Sequence, residues 1–211
     1  MHPHLALLLE AAGALLAPPR CAACDDAVAV HAVFCPGCAA TVIDAGQEPA
    51  CSAVFLYGGA IATAIGRFKY EGRIDLARPL AEVLKRLLPA LRAFGPDLVV
   101  PVPLHAARLV ERGYNQSALL AAPLATALAV AYAPRAVVRA RATPQQAALA
   151  RPDRLRNLQS AFGARDPDVL YEKRVLLVDD VRTTGATLAA CAEAVYRAGA
   201  RGVHAAVLAR A

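Results

Sequence analysis

The segment that most constrains this chain is residues 174–198, with the sequence RVLLVDDVRTTGATLAACAEAVYRA. Its apolar run, residues 175–178, has the length and composition of a buried strand. Two carboxylates and a loop of small residues follow, and apolar or small residues then recur at helical spacing. This order of strand, acidic pair, hydroxyl-rich loop and helix predicts a cradle for a phosphate group.

The chemistry of this segment supports an anion site with a polar ligand beside it. Backbone N–H groups of the loop and the N-terminus of the helix carry partial positive charge, and threonine hydroxyls can donate to phosphate oxygens. Gly185 lets the backbone turn and approach closely. Asp179 and Asp180 would repel a phosphate, so their partners are sugar hydroxyls or a bound cation. The alternative is an ordinary strand–turn–helix with an acidic turn.

The stretch VLLVDDVRTTGAT resembles the phosphoribosyl-pyrophosphate (PRPP) motif of type I phosphoribosyltransferases, an apolar strand followed by two acids and a Thr-Thr-Gly loop. The resemblance implies that Asp179 and Asp180 face the ribose hydroxyls, and it assigns no role to Arg182. It also implies that a single loop holds the 5′-phosphate. The residues of that loop are Val181, Thr183, Thr184, Gly185, Ala186 and Thr187.

Length and composition leave the ligand open but limit the architecture. A chain of 211 residues suffices for one α/β domain and a small accessory piece. The net charge of +6 suits an anionic ligand or nucleic acid, although an excess of Arg also arises from nucleotide bias. No apolar run is long enough to span a bilayer. Glu10 interrupts the apolar residues 5–17 and prolines end them, so we expect a short helix rather than a secretory signal and a cytoplasmic protein without membrane insertion.

Four of the six cysteines form two pairs, Cys21-x-x-Cys24 and Cys35-x-x-Cys38. Paired CxxC motifs at this spacing are typical of a zinc ribbon, in which four thiolates bind one structural Zn²⁺ and leave no open position for catalysis. A disulfide pair is the alternative, and a cytosolic setting disfavours it. We therefore expect an N-terminal helix and zinc-ribbon module over residues 1–50 and a second domain over residues 51–211.

The remaining pattern predicts alternating strands and helices, and hence a mainly parallel sheet flanked by helices. An apolar strand should end at Pro101-Val102-Pro103. Further strands are predicted at residues 52–57, 136–139, 173–178 and 203–208, and helices at residues 60–70, 76–93, 116–130 and 185–198. The resulting fold class is α/β, of type I phosphoribosyltransferase-like architecture, with the small zinc module at the N-terminus.

Several other motifs narrow the resemblance to the ComF (competence protein F) family. The paired CxxC head is followed by Phe68-Lys69-Tyr70-Glu71-Gly72 and by RLVERGYNQS at residues 108–117. A further pattern, T-x-Q then R-x-x-N-x-x-x-A-F, is matched by Thr143, Gln145, Arg154, Asn157, Ala161 and Phe162.

The ComF resemblance implies a second anion-binding region, a pyrophosphate loop and hood. Its residues are Lys69, Val102, Pro103, Leu104, Arg108, Arg112 and Asn115. Tyr114 and Asn115 are also placed to stack on, or hydrogen-bond to, a base. Two structural alternatives remain: Lys69 is a solvated surface side chain, and Arg112 and Asn115 only cap the next helix.

The function implied is transfer of a phosphoribosyl group from PRPP, with Mg²⁺, to an unidentified nitrogen acceptor, in a protein linked to DNA uptake in natural competence. The catalytic residues would be Asp179, Asp180 and Arg112. The competing hypothesis is a non-catalytic module that binds PRPP or single-stranded DNA. The expected partners are PRPP and either single-stranded DNA or helicase and processing proteins of competence, and a dimer remains open. The basic residues 135–156 are a lid over the site or a nucleic-acid contact.

Overall fold

The computed structural model describes residues 19–46, 48–139 and 161–211. The strands within them are β1 (Cys51–Leu56), β2 (Leu98–Pro101), β3 (Ala131–Tyr132), β4 (Val137–Arg139), β5 (Phe162–Ala164), β6 (Arg174–Arg182) and β7 (Gly202–Arg210). Five of these strands form a sheet in the order β1-β7-β6-β2-β3, and every neighbouring pair is parallel. A separate antiparallel pair is formed by β4 and β5.

Helices cover both faces of the sheet, which confirms the predicted α/β fold. The described helices are α1 (Pro36–Ala39), α2 (Gly59–Tyr70), α3 (Ala77–Leu84), α4 (Leu88–Phe94), α5 (Ala106–Arg112), α6 (Gln116–Leu128), α7 (Pro167–Leu170) and α8 (Ala186–Arg197). None of these helices is long and apolar enough to cross a membrane.

Each face of the sheet has its own hydrophobic core. On one face, α2, α3, α4 and α6 bury large side chains against the strands, including Phe68, Leu80 and Leu124. On the other face, α8 packs with the β4–β5 pair, and Cys191 is fully buried there as the small core residue that its helical position predicts. The apolar faces of the amphipathic helices therefore provide the burial that stabilises the sheet.

The helix predicted over residues 76–93 is wrong in one respect, because the structure divides it into α3 and α4. A 3₁₀ turn, Lys85–Leu87, separates the two helices. Pro89 lies in the first turn of α4 and has no N–H to donate to the Lys85 carbonyl, so a continuous helix would lose that bond. Pro89 is visible in the sequence, but the apolar residues at helical spacing led to the prediction of one continuous helix.

Strand β6 is longer than predicted and continues through the acidic pair to Arg182. Pairing with β7 extends from Arg174↔Gly202 to Arg182↔Arg210, so both carboxylates belong to a strand rather than to a loop. The sequence prediction also missed the short strands β3 and β5 and the helix α5. The helix expected at residues 5–17 and the motif residues 143–157 lie outside the described residues.

The N-terminal region packs closely onto the larger unit. Backbone hydrogen bonds join Ala45 N–H to the Val54 carbonyl at 2.9 Å and Leu56 N–H to the Ile43 carbonyl at 2.8 Å. Val33 and Phe34 pack against the core on the α2 side. The residues around the cysteines thus share a hydrophobic core and strand-like pairing with the sheet.

Candidate functional site

The acidic pair lies at the carboxyl end of β6, where parallel sheets place ligands. Asp180 forms an ion pair with Lys69, with 2.8 Å between Nζ and Oδ1. Their side chains are only 2% and 19% exposed, so Lys69 is not a solvated surface lysine. Its position in the last turn of α2 directs a cation onto the end of the central strand. The structure thereby joins two regions of the predicted site that are far apart in sequence.

Asp179 is held by α6 and by its own backbone neighbour. The Ser117 hydroxyl donates to Asp179 Oδ1 at 2.7 Å, and the Asp180 N–H donates to the same oxygen at 2.9 Å. The pKa of Asp179 is raised to about 7, mainly by burial and then by the charge of Asp180, while the Ser117 hydrogen bond and Lys69 act in the opposite direction. A carboxyl group with this pKa carries a proton for part of the time at neutral pH.

Lys69 supplies the charge that balances the pair. Burial alone would lower the pKa of Lys69, but the carboxylate of Asp180, with a smaller contribution from Asp179, holds it above its ordinary value. The second carboxylate oxygen of Asp180, Oδ2, is buried and has no hydrogen-bond partner among the described residues. A buried acceptor without a donor is costly, so a ligand hydroxyl at this oxygen would relieve that cost.

The loop after β6 has the geometry of an anion cradle. Gly185 adopts a left-handed conformation with φ +77°, and the 12-residue helix α8 begins at the next residue. The Thr184 hydroxyl accepts a hydrogen bond from the Ala186 N–H at 3.4 Å. Thr183 and Thr184 are exposed, whereas Val181, Ala186 and Thr187 are partly buried. The helix N-terminus and the exposed hydroxyls can therefore converge on one phosphate group.

Arg182, to which the sequence assigned no role, lies against this loop. Its Cδ atom is 3.7 Å from the position that a Cβ on Gly185 would occupy. Glu48 pairs with Arg182 at 2.6 Å and also with Arg210 on β7. The ion pair with Glu48 holds the Arg182 side chain against the turn at Gly185, so Arg182 packs against the loop and stabilises it.

The segment after β2 lies next to the acidic pair, because Pro101 pairs with Val178 in the sheet. The Val102 N–H donates to the Val178 carbonyl at 2.9 Å, and Pro103 and Leu104 follow it into a partly exposed turn. This arrangement brings the predicted pyrophosphate loop to the same edge of the sheet as the predicted 5′-phosphate loop.

Asn115 has the role of a helix cap. Its Oδ1 accepts from the Ser117 N–H at 3.1 Å, and its Nδ2 donates to the Val102 carbonyl at 3.1 Å. The capping interpretation is therefore the one that the contacts describe for Asn115. By fixing the start of α6, Asn115 also fixes Ser117 against Asp179.

The aromatic and basic side chains of the RLVERGYNQS motif have different surroundings. Arg108 is exposed on α5, whereas Arg112 donates to the Gln116 side chain and lies 5.4 Å over the ring centroid of Tyr70. Tyr114 donates to the Phe68 carbonyl, and the two rings stack at 5.7 Å. The Tyr114 ring is thus a packing contact that steadies α2 near Lys69.

Sequence reasoning missed two residues at the site. Ser117 ends the RLVERGYNQS motif, but nothing in the sequence linked it to Asp179. Arg139, at the end of β4, has its pKa lowered by burial and by the charge of Arg108, and raised by Asp179. The Arg139 guanidinium lies 5.3 Å from the centroid of the Phe162 ring on β5, so the β4–β5 pair carries a partly buried positive charge.

The four paired cysteines form one cluster. The sulfur atoms of Cys21, Cys24, Cys35 and Cys38 all lie within 4.8 Å of one another, and the Cys24 and Cys35 sulfurs are 3.6 Å apart. In a tetrahedral site with Zn–S bonds of about 2.3 Å, the sulfurs are about 3.8 Å apart. All four are free thiols. The cluster therefore fits a metal ion such as zinc in both donor chemistry and spacing.

The fold and the acidic pair define a phosphoribosyltransferase-type protein, and residues 84–211 match the phosphoribosyl transferase domain family. DNA utilization protein YhgH of Salmonella typhi is 34% identical over 87% of this chain and 87% of its own. Competence protein F of Haemophilus influenzae is 32% identical over 92% of this chain and 85% of its own. A solved adenine phosphoribosyltransferase from Saccharomyces cerevisiae is 21% identical, with a TM-score of 0.43 over 66% of this chain and 70% of that protein.

The chain therefore belongs to the phosphoribosyl transferase domain family and, within it, to the ComF group that includes YhgH and competence protein F. Both relatives cover most of the chain. This confirms the family to which the sequence motifs pointed.

Proposed function

We propose that this protein binds PRPP with Mg²⁺ and transfers the phosphoribosyl group to a nitrogen acceptor. The observation that carries the proposal is the buried Asp179–Asp180 pair, placed directly before a glycine turn and the N-terminus of α8. Hydroxyl-binding carboxylates beside an anion cradle match a sugar phosphate better than they match a free phosphate.

Each part of the substrate has a group suited to it. The loop containing Thr183, Thr184 and Gly185 would hold the 5′-phosphate as an anchor remote from the reaction. Asp179 and the unpartnered Oδ2 of Asp180 would accept hydrogen bonds from the ribose hydroxyls. Arg112 and the loop at residues 102–104 would face the pyrophosphate.

The reaction breaks the bond between C1 of the ribose and the pyrophosphate while a nitrogen atom bonds to C1. Positive charge then develops on the ribose ring and negative charge on the departing pyrophosphate. The carboxylates of Asp179 and Asp180 would stabilise the first, and Arg112 would stabilise the second. Mg²⁺, when bound, supplies further neutralisation of the leaving group.

We also propose that the cysteine cluster holds a structural Zn²⁺, because four thiolates leave no open coordination position. Reduced thiols of this kind suit a cytoplasmic protein. The names of the relatives, DNA utilization protein and competence protein F, support a role in handling DNA taken up by the cell. Single-stranded DNA and processing proteins are the partners consistent with that role.

A second function is a module that binds PRPP or DNA without transfer. The observation in its favour is the engagement of Asn115 and Tyr114 in capping and packing, which removes two side chains that were expected to contact a base. On this hypothesis the ligand would be sensed rather than consumed.

Release of pyrophosphate from PRPP distinguishes the two functions. We expect the wild-type protein with Mg²⁺ to release pyrophosphate in the presence of one class in a panel of bases and amines. Asp179→Asn combined with Asp180→Asn should lower the rate by a factor of about 100 or more, because it removes charge stabilisation in the transition state. Glu193→Gln is the matched control and should retain the rate, because Glu193 is a partly exposed residue of α8 that pairs with Arg197. Tight PRPP binding with no release across the panel would establish the non-catalytic function instead.

A further inference from the structure

The helix that carries Lys69 is held at both ends by the segments that follow the cysteine pairs. Asp25 comes directly after Cys24, and Thr41 comes three residues after Cys38. Asp25 contacts residues in and just after the last turns of α2, whereas Thr41 contacts its first residues. Each half of the cysteine cluster is thus continuous with a contact to one end of α2.

At the C-terminal end, Asp25 binds two arginines on either side of Lys69. Arg67 donates to Asp25 Oδ2, and Arg73 donates to Asp25 Oδ1 at 2.9 Å. Arg67 also donates to the carbonyl of Ala22, between the first two cysteines, at 3.2 Å. The Arg67 side chain is only 11% exposed, so its ion pair with Asp25 is shielded from solvent more than an ordinary surface ion pair. Lys69 therefore lies between Arg67 and Arg73, which both contact the segment that carries the first cysteine pair.

At the N-terminal end, the contact is a close approach of two backbones. The Thr41 hydroxyl accepts from the Ala60 N–H at 2.9 Å and donates to the Cys38 carbonyl at 2.8 Å. Gly59 has φ +50°, and a Cβ there would lie 2.2 Å from the Thr41 carbonyl oxygen. Only glycine allows this approach, so the second cysteine pair is bound to the first turn of α2.

We propose that the metal centre positions Lys69: Asp25, through Arg67 and Arg73, and Thr41, at Ala60, hold α2 so that the Lys69 ammonium stays on Asp180. Four thiolates around one ion fix the two segments relative to each other, and loss of the ion frees them. The positions of both ends of α2 then depend on the metal. Asp25 is a positioning residue, because it acts on the site only through the helix.

The consequence is that binding of the metal to the four cysteines affects how often the Lys69 ammonium is paired with Asp180. That Lys69 serves a bound ligand rests on the proposed function, whereas the coupling of the metal to Lys69 does not. If PRPP binds at this site with Lys69 in position, we expect zinc to strengthen PRPP binding, and linkage then requires that PRPP strengthens zinc binding by the same factor.

The chain is suited to a direct spectroscopic test because it contains only three lysines, Lys69, Lys85 and Lys173. Protein labelled with ¹³C at the lysine ε-carbon gives a separate NMR signal for each, and Lys69→Arg identifies the signal of interest. We expect the Lys69 signal to be distinct in zinc-saturated protein and to move towards the position of an exposed lysine when the zinc is removed with a chelator. The signals of Lys85 and Lys173 should not move.

Two carboxylate variants form a matched pair. Asp25→Asn should shift the Lys69 signal even in zinc-saturated protein and weaken PRPP binding about fivefold. Asp75→Asn also removes a carboxylate from Arg73 but has no contact with the cysteine segments among the described residues, and it should leave the zinc dependence intact. Thr41→Val tests the other end of the helix independently and should also shift the signal.

A Lys69 signal that is the same with and without zinc would overturn the coupling, as would equal effects of Asp25→Asn and Asp75→Asn. A zinc-dependent Lys69 signal in a protein that does not bind PRPP would support the coupling and contradict the proposed function. The two proposals can therefore fail separately.

Discussion

Replacing Cys21 and Cys38 with Ser is expected to abolish zinc binding and unfold the region around the cluster. Each substitution removes one thiolate, and the two cysteines that remain in the cluster cannot complete a tetrahedral site. In short zinc modules the metal contributes on the order of 10 kcal/mol to folding. If only a quarter of that is lost here, about 3 kcal/mol, the melting temperature falls by about 10 °C.

Metal analysis and thermal unfolding check this result together. Cys51→Ala is the matched control, because Cys51 is also a buried free thiol but lies outside the cluster. It should keep a full complement of zinc. A native protein that contains no zinc after expression in zinc-supplemented medium, or a double variant that still retains the metal, would contradict the prediction.

The second large effect is a gain in stability on replacing Asp179 with Asn, and it should depend on pH. Burial and the charge of Asp180 raise the pKa of Asp179 from 3.8 to about 7. Between these values the unfolded chain loses the proton while the folded protein keeps it, so the free energy of unfolding falls as the pH rises. At about 1.4 kcal/mol per pKa unit, the cost to the native protein approaches 4 kcal/mol at most by pH 8 and vanishes below pH 4.

Asn has nearly the same shape and retains an oxygen that can accept from the Ser117 hydroxyl and the Asp180 N–H. Asp179→Asn should therefore raise the free energy of unfolding at pH 8 by about 2 kcal/mol or more and raise it by about 1 kcal/mol or less at pH 4.5. Chemical denaturation without Mg²⁺ or PRPP, at the two pH values, measures the difference. Ser117→Ala removes a donor that stabilises the carboxylate and should lower the stability at pH 8. Equal effects of Asp179→Asn at both pH values would show that the pKa of Asp179 is not raised.

A gain in stability at the cost of function is expected where a binding site keeps a buried charge for its ligand. With its pKa raised by burial, Asp179 is expected to lower the stability of the folded protein at neutral pH, and Oδ2 of its neighbour Asp180 has no donor among the described residues. Nothing in the packing of β6 requires these two carboxylates. On the proposed function, a ligand that donates hydrogen bonds to both carboxylates would offset this cost.

The central part of the fold could be predicted because its determinants are local. The strand β6, the turn at Gly185 and the helix α8 lie in one continuous segment. Its apolar run predicts the strand, Gly185 predicts the turn, and the helical spacing of apolar residues predicts the helix. The cysteine cluster was predictable for the same reason, since the spacing of the two CxxC pairs is itself typical of four sulfurs that share one site. The ends of β6 were less predictable, because pairing with β7 rather than local composition extends the strand to Arg182.

What the sequence could not provide is the set of contacts between distant segments. Ser117 and Asp179 are 62 residues apart, and Asp25 and Arg67 are 42 residues apart, with no pattern that links either pair. The alternative for Asn115 stayed open for a related reason, because a side chain before a helix can cap it or bind a ligand. Only the position of Val102 relative to α6 distinguishes the two roles.

The most direct test of the central claim is calorimetric titration of the zinc-loaded protein with PRPP in the presence and absence of Mg²⁺. The account predicts Mg²⁺-dependent binding that is lost in the double variant Asp179→Ala and Asp180→Ala and retained in Glu193→Gln. Unchanged binding in the double variant, or no binding by the wild-type protein, would contradict it.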